Sequence, residues 1–247
     1  MTYVLLGLAA VAVGVFIGAV GVGGILLIPV LAYLGELPVH TAAATALFTF
    51  AFTGILGTFL FQRRGSIDWR ITTPVCLGAI VFSVLGAWAS SRLNARLLTL
   101  LIAAIIVFAG AYLLVPARPR EAFRDGRSRG EQAILLGVGA ASGFGSGLSG
   151  AGGPLFSVPM MVLAGFVPLA AIGTSQVLQI VAAAFGTAGN LAYGQIDFGM
   201  AAWITVLELA GVAAGVRLAH VASVQTLRRT TAGLCLVVGA FMAWRGL

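Results

Sequence analysis

Residues 18–31, GAVGVGGILLIPVL, and residues 145–161, GSGLSGAGGPLFSVPMM, carry the same interruption twice. Each lies inside an apolar run, about 3–34 and about 132–166, too long for one straight crossing of a bilayer, which takes about 20 helical residues. Glycines at the centre of such a run break the helix and bare backbone amides and carbonyls that lipid cannot satisfy. The break is therefore tolerated only where protein packs around it or where it lines a wet cavity. A half-helix starting near Ile25, and its counterpart starting near Pro154, would aim free N–H groups and the positive end of a dipole into that cavity. Pro154 suits a first helical position because its missing donor would be unpaired anyway. Gly21, Gly23, Gly24 and Ile25, with Gly150, Gly152 and Gly153, are accordingly candidate substrate-binding residues. The competing explanation is close helix packing through small residues.

Working outward, the whole chain repeats. A shift of 129 residues carries Gly21, Gly23 and Gly24 onto Gly150, Gly152 and Gly153, and Thr45 onto Thr174. It also carries Gly57-Thr58 onto Gly186-Thr187, and Gly65-x-Ile67-Asp68-Trp69 onto Gly194-x-Ile196-Asp197-Phe198. Gly86 and Gly110 fall on Gly215 and Gly239. The chain thus divides into a first membrane repeat (1–116), a connector (117–130) and a second membrane repeat (131–247). Further apolar runs at about 42–62, 70–91, 97–116, 170–192, 199–219 and 227–245 make four segments per repeat. The expected fold is an all-α polytopic membrane protein, its repeats each opening with a glycine-broken, re-entrant helix. Paired repeats with matching broken helices are an architecture of secondary transporters.

Composition agrees. Of 247 residues, 60% are hydrophobic and 9% charged, against about 25% charged in a soluble domain. Lipid is the solvent for most of this surface. The net charge of +7 comes from fourteen arginines and no lysine. They fall between apolar stretches, the pattern that orients membrane proteins rather than one that grips nucleic acid. The N-terminal run has no basic residue before it and exceeds signal-peptide length, so it is expected to be mature structure. Cys76 and Cys235, with His40 and His220, form no metal-ligand spacing. No cofactor or metal is expected.

The arginines also bear on topology. If every long run crosses once, the repeats are parallel and the arginines divide nine to five between the two faces. If each broken run enters and turns back, the repeats are inverted and the division becomes eleven to three. Inversion further explains why FQRRGSIDWR has three arginines where its copy LAYGQIDFGM has none. Inversion is favoured, with the connector cytoplasmic and holding five arginines.

Other polar residues follow the breaks. Thr41, Thr45 and Thr49 share one helix face; Thr174, Ser175, Gln176 and Gln179 occupy the matching helix of the second repeat. Of these, Thr45, Thr174, Ser175, Gln176 and Gln179 are candidate substrate ligands, with interhelical bridging the alternative. Asp68 and Asp197 are expected N-caps, and Trp69, Trp88, Trp203 and Trp244 interfacial anchors. Glu208 is the one acid well inside an expected span. Intramembrane acids are functional by default, so it is a candidate for ion coupling, against a neutral acid hydrogen-bonded to a neighbouring helix.

The doubled glycine–proline motif, followed by AAATA in one copy and IGTSQ in the other, resembles the TauE/SafE family, also called the 4-toluene sulfonate uptake permease family. The likeness covers essentially the whole chain. It implies a multi-pass transporter of the bacterial inner membrane, moving small sulfur-containing anions such as sulfite, sulfoacetate or other organosulfonates, with export among the options. The first copy departs from the Thr-Ser pattern at Thr45-Ala46. Partners expected are a small anion, membrane lipid and a proton or sodium ion, with no nucleic acid. A passive anion channel and a non-transporting assembly subunit are the alternatives; no enzymatic constellation is present.

Overall fold

Both interrupted runs fold back on themselves at their glycines. In the computed structural model, residues 2–21, 23–114, 128–193, 195–221 and 224–246 are described. Helix α1 (Thr2–Val20) stops at Gly21, whose φ of +79° closes the last turn through a bond from its N–H to the Ile17 carbonyl. A short segment, α2 (Gly23–Leu34), begins with a tight 3₁₀ turn. Gly23 packs on Phe16 and Ile17, and one groove is lined by Val13 and Phe16 from α1 and by Leu26 and Val30 from α2. A straight helix would hold residues 16 and 23 about 10 Å apart, so the two arms run antiparallel. The second run does the same. Helix α6 (Arg129–Ser149) ends at Gly150 with φ +73°, Gly152 follows with φ +76°, and α7 (Pro154–Leu163) returns so that Gly145 faces the Phe156 ring.

The breaks fall past the centre of each run, which the sequence had suggested as their place. At 19 residues, α1 is about 28 Å long, so this arm alone nearly matches a hydrocarbon core. Each repeat therefore has five segments, the expected first one resolving into a long and a short arm.

The remaining helices are α3 (Val39–Arg63), α4 (Trp69–Arg92), α5 (Ala95–Leu114), α8 (Pro168–Tyr193), α9 (Phe198–Val221) and α10 (Val224–Gly246). Among the described residues, α1, α3, α4, α5, α8 and α9 are long and apolar enough to cross a membrane. The expected caps form: Asp68 accepts from the Arg70 N–H at 2.9 Å and Asp197 from the Met200 N–H at 2.8 Å. Ser128 and Glu131 make a reciprocal capping box, which places 129–130 in helix α6 and not in the connector. Residues 117–127 of that connector lie outside the described residues. Trp69, Trp88 and Trp244 are exposed.

Packing interleaves the repeats. Gly139, Gly143 and Gly147 of α6 meet Val75, Ala79 and Ser83 of α4 in the same order, so these helices run parallel. In the matching pair, Gly14 meets the Glu208 backbone and Gly18 meets Val212, so α1 runs parallel to α9. Added Cβ atoms at these glycines would strike backbone carbonyls; small residues are what lets membrane helices approach so closely. Two other pairs run antiparallel. Along α3 and α8, Leu47 meets Gly186, Gly54 meets Ile180 and Gly57 meets Gln176. Along α5 and α10, Gly110 meets Leu236 while Val107 meets Gly239. Exchanging the repeats carries α4–α6 onto α9–α1, and carries α3–α8 and α5–α10 onto themselves.

Candidate functional site

The two breaks meet on one ring. Phe50, midway along α3 and 1% exposed, has its Cζ 3.0 Å from where a Cβ on Gly24 would stand and its Cδ2 3.2 Å from one on Gly152. The next glycine, Gly153, packs on Leu178 and the Gln179 amide of α8. Gln179 is 2% exposed, and its Nε2 donates to the Phe50 carbonyl at 3.1 Å and to Thr53 Oγ1 at 2.7 Å. The crossing of α3 and α8 thus gathers Gly24, Gly152, Gly153, Phe50 and Gln179. Sequence reasoning missed Phe50, although a signal was there: it is the repeat mate of Gln179 at the 129-residue shift.

Beside this crossing, α7 presents an open helix end. The Phe156 and Ser157 amides bond back to the Gly153 carbonyl, whereas those of Gly152, Gly153 and Leu155 donate to no described residue and Pro154 has no donor to lose. Oriented donors at a helix start, with the positive dipole end, suit an anion. The corresponding segment α2 starts with Gly23, Gly24, Ile25 and Leu26 all buried.

The other candidates divide. Gly21 lies against Ile172 and 3.7 Å from Ser175 Oγ, measured from an added Cβ. Ser175 gives its own proton to the Ile172 carbonyl at 2.7 Å. Gly150 lies instead against Ala43, so the hairpin tips point to opposite ends of the α3–α8 pair. Thr45 accepts from the Asp197 amide at 3.0 Å, and Thr174 pairs with Thr72 Oγ1 at 2.9 Å. Both hydroxyls are buried and tie each α3-type helix to the Gly-x-Ile-Asp turn or helix of the other repeat. Gln176 is fully buried beside Gly57, and neither end of its amide has a hydrogen-bond partner.

Glu208 is fully buried on α9. Thr49 of α3 faces it, but Thr49 donates to the Ala46 carbonyl at 2.9 Å, and neither Glu208 oxygen makes a hydrogen bond to a described residue. An unpartnered buried carboxyl is costly, and no arginine offsets it here; a proton or cation would.

Comparison with known proteins bears on the chain as a whole. The chain is 28% identical over 210 residues to the probable membrane transporter protein YdhB of Bacillus subtilis, covering 83% of this chain and 85% of that one. It is 24% identical over 229 residues to YunE of the same organism, covering 83% and 81%. A probable membrane transporter protein of Methanocaldococcus jannaschii is 24% identical over 252 residues, covering 93% and 92%. No solved structure matches the chain. The family model for the sulfite exporter TauE/SafE matches residues 6–242, so this multi-pass membrane protein belongs to that family of transporters and not to any class of enzyme.

Proposed function

We propose that the protein is a secondary transporter of small sulfur-containing anions, sulfite, sulfoacetate or other organosulfonates, across a bacterial inner membrane. The observation that carries this reading is the meeting of both glycine breaks at the α3–α8 crossing, beside the unpaired amides at the start of α7. Backbone donors can hold an oxyanion without the desolvation cost of a buried arginine. The antiparallel run of α3 with α8 and of α5 with α10 supports inverted repeats: a two-fold that exchanges antiparallel helices lies across them, and hence in the membrane plane. Glu208, buried without a hydrogen bond, is the residue through which a proton or sodium ion would couple.

Reconstitution in liposomes tests this. Saturable sulfite or sulfoacetate flux that rises with an imposed proton or sodium gradient is expected. Flux linear in anion concentration and indifferent to both gradients would instead make the protein a passive channel. Absence of flux for every sulfur anion tried would refute the reading.

A further inference from the structure

A cavity of about 150 Å³ opens at the end of the bundle where α3 begins and α4, α6 and α8 end, lined by His40, Ser90, Ser91, Gly147, Gly150 and Asn190. Its polar side chains come from three helices. Ser90 and Asn190 are each 8% exposed, and neither side chain hydrogen-bonds to any described residue. Their neighbour behaves differently: Ser91 gives its proton to the Trp88 carbonyl at 2.7 Å. The His40 ring is held by the Leu93 backbone. Buried hydroxyls and amides are normally paired, so leaving two unpaired and facing one cavity marks a place for a polar ligand.

Charge decides which ligand. No acid lines the cavity, and Arg92, stacked on Trp88, directly follows Ser91. The acid on a neighbouring turn, Asp197, is committed to the Met200 amide. The Ser90 hydroxyl and the Asn190 amide nitrogen can both donate to a ligand there. At about 30 Å³ per water, the cavity has room for about five waters, the size of a small oxyanion with little hydration left. Gly150 in its wall is the tip of the second hairpin, two residues before Gly152.

Among the described residues, the other end of the molecule differs from this lining. At the 129-residue shift Asn190 becomes Phe61 and His40 becomes Leu169. Phe61 is 1% exposed, and Gly21, the mate of Gly150, is walled by Ile172 and Val158.

We infer that this one-sided cavity is a separate anion subsite, in which Ser90 and Asn190 bind a sulfite-sized oxyanion at the mouth before it reaches the glycine breaks. The inference rests on the transport reading above. Its test uses the full chain in liposomes, with sulfite and methanesulfonate as probes presented on either face. Asn190→Asp places a carboxylate among the donors and should raise KM at least tenfold for anion presented on the cavity side. Ser90→Ala should raise it severalfold. KM from the opposite face should change by less than twofold, which a general folding defect would not produce. If the wild type transports saturably while Asn190→Asp and Ser90→Ala leave the cavity-side KM unchanged, the subsite is refuted and the transport reading stands. If the wild type neither binds nor moves either anion, both fall together.

Discussion

Alanine at four glycines separates the costs that meet at the breaks. At Gly137, on the exposed side of α6, an added Cβ meets nothing within 4 Å and the backbone is helical. Gly137→Ala should stabilise by about 0.5–1 kcal/mol through helix propensity. Gly65 also has open space but a φ of +66°, so Gly65→Ala isolates left-handed strain, about 1–2 kcal/mol. At Gly24 the φ is ordinary, and the Cβ would stand 3.0 and 3.2 Å from Phe50 ring atoms. A shift of the ring by a few tenths of an ångström relieves that at a cost of about 1 kcal/mol, the low end for overpacking. Gly152 combines a 3.2 Å approach to Phe50 with a φ of +76°, and Gly152→Ala should cost about 2–3 kcal/mol, the sum of the two. Thermal melting in detergent gives the ranking, and calorimetry of the folded variants with sulfite gives the affinity. Gly24→Ala and Gly152→Ala should weaken anion binding beyond their effect on melting, while Gly65→Ala should leave affinity intact. If Gly152→Ala melts no lower than Gly65→Ala and binds sulfite as the wild type does, the break neither packs tightly on Phe50 nor holds the anion.

Three further outcomes follow from other contacts. Glu208→Gln keeps the shape and removes the titratable group, so gradient-driven uptake should fall at least tenfold with anion affinity little changed; uptake that still follows an imposed pH gradient would make Glu208 structural. Single cysteines at Ser66 and Gln195, in a chain with Cys76 and Cys235 replaced, should label from opposite faces of sealed vesicles, and labelling from one face would restore parallel repeats. Gly147→Val sets a branched side chain against the Ser83 and Ala87 backbone and should cost several kcal/mol or prevent folding, whereas Gly233→Val, with nothing within 4 Å, should melt within about 1 kcal/mol of the wild type, the scale of helix propensity.

Much of the architecture was legible because membrane solvation leaves few choices. Apolar length fixed the expected spans to within a few residues of the helices, and the Gly-x-Ile-Asp turns announced N-caps that form at Asp68 and Asp197. The fold-back at Gly21 and Gly150 was the favoured of two arrangements, because runs of that length around doubled glycines exceed one straight crossing and the arginines divide more unevenly when they turn back. Pairing between helices was not. That α1 lies along α9 and α6 along α4 depends on which glycine faces meet, and every segment here carries glycines. Polar candidates were legible as a set but not by destination. Thr45 and Thr174 bridge helices and Gln179 reaches the centre, yet each reads locally as a polar residue within the first half of a helix. His40, Ser90 and Asn190 form no motif at all, because the cavity that gathers them exists only after three helix ends have met.

The repeats match where the backbone must do something special and differ at several buried side chains. Glycines at 21, 23 and 24 and at 150, 152 and 153 agree because a turn and a close approach demand them in both copies. Phe50 opposes Gln179, Ala46 opposes Ser175, Ala79 opposes Glu208 and Phe61 opposes Asn190. Duplication supplies two equivalent hairpins, but a two-fold-symmetric centre would double every group on the axis. Two copies of Phe50 would contend for one space between the breaks. Divergence at this pair resolves the conflict: one ring fills the crossing and one amide pins it. The same argument applies to the mouths. A polar mouth at one end and an aromatic, apolar one at the other cannot alter the equilibrium distribution of a passively moved anion, but they set different saturating concentrations on the two faces.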